Sequence, residues 1–216
     1  MFGAQIEALG ALTSVSTGDH TGHDSTQAIA ASILATAPPR FALAGLSMGG
    51  SVALEILRQA PARVAKLALI DTEAGSVGEE TRAGRLAFIE MARSGRFSEI
   101  TRDHLLDRLI HPSRRAEPAL VESIIAMAEA TGPAAFIRQE TAILTRPDYR
   151  ALLASVACPT LVLVGDGDIL TPPARAREMA ARIPNARLEI LPRCGHLSTL
   201  ERPAETTALM KSWLLC

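Results

Sequence analysis

The stretch that decides the fold is Phe41-Ala42-Leu43-Ala44-Gly45-Leu46-Ser47-Met48-Gly49-Gly50. It holds Ser47 in a Gly-x-Ser-x-Gly pattern, with a short apolar run before it and a one-sided apolar helix pattern after it. In that context the chain turns sharply from a strand into a helix, and the flanking glycines let the two approach without a Cβ clash. A plain buried turn of small residues matches the same pattern by chance. An acid and a histidine downstream, in that order, would favour a nucleophilic serine.

Composition is typical of a soluble globular protein. The chain has 216 residues, 48% of them hydrophobic and 21% charged, and a formal net charge of −1, which suits one domain with an insertion. The balanced charge argues against a nucleic-acid partner, and no apolar run reaches the roughly 20 residues that a membrane helix needs. The first residues lack a signal-peptide pattern, and three scattered cysteines, Cys158, Cys194 and Cys216, predict free thiols. We therefore expect a cytoplasmic protein with no nucleic-acid or membrane partner.

Strand-like runs alternate with helix-like runs in both end regions of the chain. The runs typical of strands are residues 11–17, 41–46, 64–70, 159–164 and 187–191. Strands that alternate with helices predict an α/β fold, a parallel sheet with helices on both faces and here about five strands. We expect residues 1–76 and 147–216 to form this core.

Residues 77–146 interrupt the alternation. Four helix patterns follow one another, with glycines at ends and prolines at starts: Glu79–Ser94, Phe97–Ile110, Pro118–Thr131 and Pro133–Thr145. An all-helical insertion at this place would cover the carboxyl end of the sheet as a lid and line a substrate pocket. Extra packing helices without a gating role are the alternative.

Asp168 and His196 follow Ser47 in the required order. Each lies in a loop directly after a predicted strand, and in parallel sheets these loops gather at one edge. A histidine activates a serine by taking its proton, and an acid at the other ring nitrogen holds the tautomer. Asp166 competes with Asp168 as the acid, and Asp71, which also ends a predicted strand, is a further candidate.

Three stretches carry a resemblance to a known family: Ala44–Gly50, Leu163–Pro172 and Cys194–Pro203. Together they resemble the α/β-hydrolase superfamily, and in particular its lid-bearing bacterial branch, which includes enol-lactonases and carboxylesterases. The resemblance covers nearly the whole chain. Its pattern favours Asp168 over Asp166 as the acid, because the family's acid stands three residues after the glycine that ends the strand.

The resemblance implies a role for each residue of the site. Ser47 would be the nucleophile, His196 the general base and acid, and Asp168 the acid that orients the imidazole. The backbone N–H of Met48 would be one donor of the oxyanion hole. The implied reaction is hydrolysis of a small ester, lactone or thioester through an acyl-enzyme. Carbon–carbon hydrolysis or acyl transfer on the same residues is a further possibility.

The other polar motifs predict structure rather than chemistry. Asp19–Ser25 resembles a loop of the family that is usually structural, and its two histidines make no convincing metal site. His104 and His111 are expected on the surface of the insertion, and Cys194 as a buried thiol. No P-loop, dinucleotide fingerprint or zinc spacing occurs in the sequence, so we expect no cofactor and no metal.

The pocket is expected to be apolar. Met48 and an insertion rich in leucine, isoleucine and phenylalanine would line it and favour a modest acyl group. Arg138, Arg146 and Arg150 could meet a substrate carboxylate, and surface positions are the alternative for all three.

One part of the resemblance is missing from these residues. In the family an earlier strand carries a His-Gly motif whose loop gives the second oxyanion donor, and this sequence does not contain that motif. We expect either that Met1 is an internal methionine of a longer natural chain or that the chain is truncated at its N-terminus. Loss of one oxyanion donor costs roughly 2.7–4 kcal/mol of barrier and open strand edges favour aggregation, so the sequence predicts weak activity and poor solubility. The alternative function is a non-catalytic protein of this fold.

Overall fold

A computed structural model describes all 216 residues. Its sheet has four parallel strands in the order β1-β2-β3-β4. They are β1 Phe41–Leu46, β2 Val64–Ile70, β3 Thr160–Gly165 and β4 Ala186–Leu191. The register places Leu46 beside Ile70 and Ile70 beside Leu163. The carboxyl ends of the strands therefore lie side by side, and the loops after them share one edge of the sheet.

The prediction of about five strands is wrong by one. Residues 11–17 form no ladder with any strand, and β1 is an edge strand that pairs only with β2. Ala11 has helical backbone angles, and Leu12 and Thr13 donate back to the carbonyl of Leu9 at the end of α1. The residues after them lack the hydrogen bonds to a neighbour that make a strand. The described chain places no strand between this stretch and β1.

Helices pack on both faces of the sheet, as the alternation predicts. In chain order they are α1 Gly3–Gly10, α2 Thr26–Thr36, α3 Met48–Gln59, α4 Glu79–Arg93, α5 Phe97–Glu99, α6 Leu106–Leu109, α7 Pro118–Thr145, α8 Pro173–Arg182, α9 Ser198–Glu201 and α10 Pro203–Leu215. Ser25 caps α2, since its hydroxyl accepts the N–H of Ala28 at 3.3 Å.

Two hydrophobic cores lie on opposite faces of the sheet. The side chains of β2 alternate between them, with Leu67 and Leu69 on one face and Ala68 and Ile70 on the other, all fully buried. The first core includes Ile29 of α2, Leu54 of α3 and Met179 of α8, and the second includes Leu9 of α1 and Trp213 of α10. This sandwich of helices fixes the sheet edge at which Ser47 emerges.

The segment between β2 and β3 is helical, as the sequence predicts for residues 77–146; we refer to it as the helical insertion. Its second helix pattern is not uniform, because a π-helical stretch, Ile100–Leu105, separates α5 from α6. The long helix α7 breaks at Gly132, which has φ 74° and ψ 158° and precedes Pro133. This is the boundary that the glycine and proline punctuation predicts.

By length and apolar composition alone, α7 could cross a membrane, and it is the one helix of the chain that could. The break at Gly132 divides it into two shorter helices, and neither reaches the roughly 20 residues that a span requires. This feature is therefore weak evidence for a membrane location.

Candidate active site

Ser47 lies in the turn between β1 and α3. Its backbone, at φ 54° and ψ −118°, has a positive φ that is uncommon outside glycine. Two hydrogen bonds hold this conformation: the N–H of Ser47 donates to the carbonyl of Ile70 at 3.0 Å, and its carbonyl accepts the hydroxyl of Thr72 at 2.7 Å. Gly45 must be glycine, because a Cβ there would lie 2.1 Å from the carbonyl oxygen of Gly49.

The structure brings Ser47, His196 and Asp168 into one hydrogen-bonded row. Nε2 of His196 lies 2.8 Å from Oγ of Ser47, and Nδ1 lies 2.8 Å from Oδ2 of Asp168. His196 is 3% exposed and Asp168 is 2% exposed. A ring that donates from Nδ1 to a carboxylate keeps Nε2 as an acceptor. In this arrangement the imidazole can receive the proton of the serine hydroxyl.

Asp168 is held by the first residues of the loop that follows it. Its Oδ1 accepts the N–H groups of Leu170 at 2.8 Å and Thr171 at 2.9 Å, and Oδ2 accepts the Thr171 hydroxyl at 2.7 Å. Burial alone raises the pKa of Asp168, but the hydrogen bond and charge of His196 and the bonds from Thr171 outweigh it, so the pKa lies below its ordinary value. The carboxylate is therefore ionised where the imidazole needs an anion.

The pKa of His196 lies above its ordinary value. Burial lowers the pKa, but the hydrogen bond that Nδ1 donates to Asp168, the charge of Asp168 and the charge of Asp71 together outweigh it. The site therefore favours the imidazolium, which is the form that the ring takes once it has accepted a proton.

Neither competing acid reaches the imidazole by a hydrogen bond. Asp166 accepts the backbone N–H of Cys194 at 3.2 Å and closes the local turn. Asp71 is fully buried, and its two oxygens accept the N–H groups of Gly165 at 3.1 Å and Ser198 at 2.9 Å. Of the three candidates, only Asp168 meets Nδ1 of His196.

A cavity of about 1660 Å³ contains Ser47 and His196 in its lining. One side is apolar and comes from the helical insertion, with Phe88, Leu105, Leu109, Phe136 and Ile143. Two ion pairs also face it, Arg85 with Glu140 at 2.9 Å and Arg146 with Glu73. The lining is thus less purely apolar than the sequence suggests. The opposite side follows the unpaired edge of β1 and residues 13–18.

Of the three arginines singled out in the sequence, only Arg146 lines the cavity, and it is paired with a carboxylate. Arg146 is 9% exposed and pairs with Glu73. Arg138 donates to the carbonyl of Thr21 at 2.6 Å, and Arg150 pairs with Asp148 at the surface. Three arginines that the sequence analysis did not single out also line the cavity: Arg40, Arg85 and Arg108.

Met48 is the first residue of α3, and the first N–H groups of a helix have no partner within it. Its backbone N–H is therefore available beside Ser47, at the positive end of the helix.

The loop Asp19–Ser25 is a structural turn, as expected. Asp19 accepts both the N–H and the hydroxyl of Thr21, at 2.8 and 2.7 Å, and His20 contacts Gln139 of α7 at 2.9 Å. Cys194 is fully buried, and burial raises the pKa of its thiol, so it is an inert thiol in the folded protein.

Two residues of the site carry roles that the sequence reading did not assign. Thr171 precedes Pro172, the cap position of α8, and its hydroxyl donates to Oδ2 of Asp168. Glu201 is 1% exposed and accepts backbone N–H groups around His196. No local sequence pattern predicts that Glu201, five residues after His196, is buried.

His104 and His111 both lie in the helical insertion, as expected. The ring of His104 stacks obliquely on Phe88 with centroids 6.1 Å apart. His111 is half-buried rather than fully at the surface, and its Nδ1 bonds the hydroxyl of Ser113 at 2.8 Å.

Known proteins resemble this chain in sequence and in fold. The model of the alpha/beta hydrolase family matches residues 8–209. A pimeloyl-[acyl-carrier protein] methyl ester esterase from Aromatoleum aromaticum is 30% identical over 190 residues, which are 83% of this chain and 76% of the relative. A thermophilic esterase from Thermogutta terrifontis, solved with malate bound, superposes with a TM-score of 0.88 at 30% identity, over 99% of this chain and 84% of that one. The enol-lactonase from Burkholderia xenovorans shares the fold, with a TM-score of 0.83 at 22% identity, over 100% of this chain and 86% of that one.

Proposed function

The chain belongs to the alpha/beta hydrolase family, and from that premise we propose that it cleaves a small ester, lactone or thioester through an acyl-enzyme. Its similarity to esterases makes it a hydrolase of the carboxylic ester class. The observation that carries the detailed proposal is the row of two 2.8 Å contacts that joins Ser47 to His196 and His196 to Asp168.

In the first half of the reaction, Oγ of Ser47 attacks the substrate carbonyl while Nε2 of His196 takes its proton. Asp168 keeps the proton of Nδ1 in place and stabilises the imidazolium that forms. The N–H of Met48 donates to the oxyanion as negative charge develops on the carbonyl oxygen. The imidazolium then gives its proton to the leaving alcohol or thiol, and the acyl group stays on Ser47.

In the second half, water replaces the leaving group. His196 takes a proton from that water, the hydroxide attacks the acyl carbonyl, and the proton returns to Oγ of Ser47. The carboxylic acid product leaves and the enzyme is regenerated. No group other than water and the ester is consumed.

The helical insertion is proposed to act as a lid. Its apolar side chains supply one wall of the cavity that contains Ser47, and they would exclude water from the acyl group and favour a modest apolar chain. Because the relative from Aromatoleum aromaticum is a methyl ester esterase, methyl esters of short acids belong in the first substrate panel, beside lactones and thioesters.

A non-catalytic protein of the same fold is the second candidate. The observation that favours it is the free edge of β1, since the strand to which the family resemblance assigns the second oxyanion donor is not among the four strands. In that candidate Met48 is the one assigned oxyanion donor, and the loss of one donor raises the barrier by roughly 2.7–4 kcal/mol, a factor of about 10²–10³ in rate.

The test is labelling with a fluorophosphonate probe, which reacts with an activated serine and needs no knowledge of the substrate. The wild type and a Ser16→Ala variant should be labelled, whereas Ser47→Ala should not. Ser16 is the matched control because it is an exposed serine that lines the same cavity. Labelling that persists in Ser47→Ala would refute Ser47 as the nucleophile. A folded wild type that takes up no label would favour the non-catalytic candidate.

A further inference from the structure

The carboxylate of Glu201 is buried beside the catalytic loop and accepts three backbone N–H groups. Its Oε1 accepts from Gly195 at 2.8 Å and Leu197 at 3.4 Å, the two neighbours of His196. Its Oε2 accepts from His111 of the helical insertion at 2.8 Å. The glutamate is 1% exposed, and bonds of a charged acceptor to backbone N–H groups are among the stronger hydrogen bonds in proteins.

The same two segments are joined by further bonds. The backbone N–H of His196 itself donates to the carbonyl of Leu109 in α6 at 2.9 Å. The guanidinium of Arg114 donates to the backbone carbonyl of Glu201. The backbones are in close contact, because a Cβ on Gly195 would lie 2.6 Å from the backbone nitrogen of His111.

The insertion therefore contacts the histidine loop in two ways. Leu109 accepts the N–H of His196 directly, and His111 reaches the neighbours of His196 through Glu201. If the segment from Leu109 to His111 moves, it takes with it the acceptor of the His196 N–H and one donor to Glu201. A displacement of about 1 Å in a reacting group can cost about 100-fold in rate. The 2.8 Å contact between His196 and Ser47 is short enough to be sensitive to such a shift.

We propose that Glu201 is a positioning residue that couples the seating of the helical insertion to the alignment of His196 with Ser47. The proposal rests on the proposed function for its catalytic consequence, but the coupling itself is a property of the fold. Glu201 does not touch substrate; it acts through the backbone on either side of the histidine. When the helical insertion packs against the loop that carries His196, the imidazole is aligned with Ser47. When the insertion is displaced, that alignment is lost.

The sharpest test removes a single donor from the insertion. His111 has φ −60° and ψ 140°, and the preceding Ile110 has φ −122° and ψ 151°. Proline fits both backbone conformations. His111→Pro therefore deletes the N–H that reaches Glu201, and its Cδ, which takes the place of that hydrogen, displaces the Glu201 carboxylate. His111→Ala is the matched control, because it removes the imidazole and keeps that N–H.

His111→Pro should lower kcat for a short ester between about 10- and 100-fold, with KM changed less than twofold. The same variant should slow fluorophosphonate labelling of Ser47 by a similar factor. His111→Ala, which also loses the ring that packs against Gly167, should stay above His111→Pro by about this factor in both measurements. Glu201→Gln should behave like His111→Pro, because an amide that accepts from Gly195 turns an NH2 group towards the N–H of His111. Glu205→Gln, an exposed position in α10, is its control.

A proton NMR signal of Nδ1–H in His196 supplies a readout that does not depend on turnover. Its chemical shift should change in His111→Pro and in Glu201→Gln, should be unchanged in Glu205→Gln, and should change less in His111→Ala than in His111→Pro. If the wild type shows the signal but no labelling, the proposed function fails while the coupling is still tested by the shift. Equal kcat, labelling and chemical shift in folded His111→Pro and wild type would overturn the coupling. The coupling would also be overturned if kcat and labelling fell only in proportion to the amount of folded protein while the Nδ1–H chemical shift stayed unchanged.

Discussion

At the scale of single residues, backbone strain is concentrated at the carboxyl ends of strands. Ser47, Asp71 and Arg193 are the non-glycine residues with positive φ, and each lies within two residues of a strand end. Such conformations cost of order 1–3 kcal/mol each and persist where surrounding contacts hold them. For Asp71 the contacts are its two bonds to the loops that carry Asp168 and His196. Strain and the proposed catalytic residues therefore occupy the same edge.

Asp71 predicts a pH dependence of stability. Its pKa is raised to about 7: burial is the main cause, the charge of Asp168 adds to it, and the charge of His196 and the bonds from Ser198 oppose it. The buried thiol of Cys194 also lies near it. Since the pKa of the folded state exceeds the ordinary 3.8, the folded protein binds the extra proton between about pH 4 and pH 7. The stability that this group contributes is complete below pH 4 and is lost as pH rises through about 7.

Asp71→Asn should remove this dependence. Its amide introduces an unfavourable N–H contact, but that cost is the same at every pH and cancels when pH values are compared. Urea midpoints at pH 5 and pH 8 measure the effect: the wild type should lose stability relative to Asp71→Asn by up to about 1.4 kcal/mol per pH unit within the window. Parallel curves for the two proteins would show that Asp71 is ionised throughout.

At the scale of elements, the helical insertion owes its shape to interruptions in its helices. Gly132 has φ 74°, in the region that favours glycine, and Pro133 supplies no N–H to continue the helix before it. The two halves of α7 can then pack separately. The first half contributes Ile124 to the core on the α1 side of the sheet, and the second contributes Ala142 to the opposite core.

Gly132→Ala should destabilise the protein by about 1–2 kcal/mol, because a Cβ in a left-handed conformation is strained even where space is available. Gly84→Ala, in α4, is the matched control. Neither position has an atom within 4 Å of the added Cβ, but Gly84 lacks a positive φ. The control should therefore gain about 0.5–1 kcal/mol from helix propensity. Chemical denaturation should show a lower free energy of unfolding for Gly132→Ala and a higher one for Gly84→Ala. A loss of stability in both variants would contradict this account of Gly132.

At the scale of the whole molecule, buried charges join the insertion to the core. Arg146, the residue that follows α7, donates to the carbonyl of Gly75 at 2.9 Å and pairs with Glu73. Burial lowers the pKa of Arg146, and the charge and hydrogen bond of Glu73 oppose that shift. Glu73 has a second partner, Arg175 of α8, at 3.3 Å. One carboxylate thus connects the end of the insertion, the segment after β2 and the helix after β3.

Arg146→Ala should cost about 3 kcal/mol of unfolding free energy. The loss of one partner of a buried ion pair typically costs 3–5 kcal/mol, and the low end applies because Glu73 keeps Arg175. Arg150→Ala is the control, since Arg150 forms an exposed pair with Asp148 and such pairs contribute at most about 1 kcal/mol. Urea denaturation gives both values. Similar small losses in the two variants would show that Arg146 contributes packing alone.

Much of the fold could be predicted from local patterns. The strands Phe41–Leu46 and Val64–Ile70 coincide with their predicted bounds, and the break at Gly132 falls where glycine and proline mark it. The order of Ser47, Asp168 and His196 in loops after strands predicts that they meet, because parallel strands bring their carboxyl ends together. Residues 11–17 could not be predicted, since their pattern is extended but their pairing depends on a neighbour.

The sequence by itself determined the period of each element, the turn at Ser47 and the family, because these depend on residues close together in the chain. The tertiary structure decided which acid meets His196, that Arg146 pairs with Glu73 beneath the insertion, and that Glu201 joins the insertion to the histidine loop. Those contacts link residues 28, 73 and 90 positions apart. Their geometry depends on how sheet and helices pack, and no local pattern contains that information.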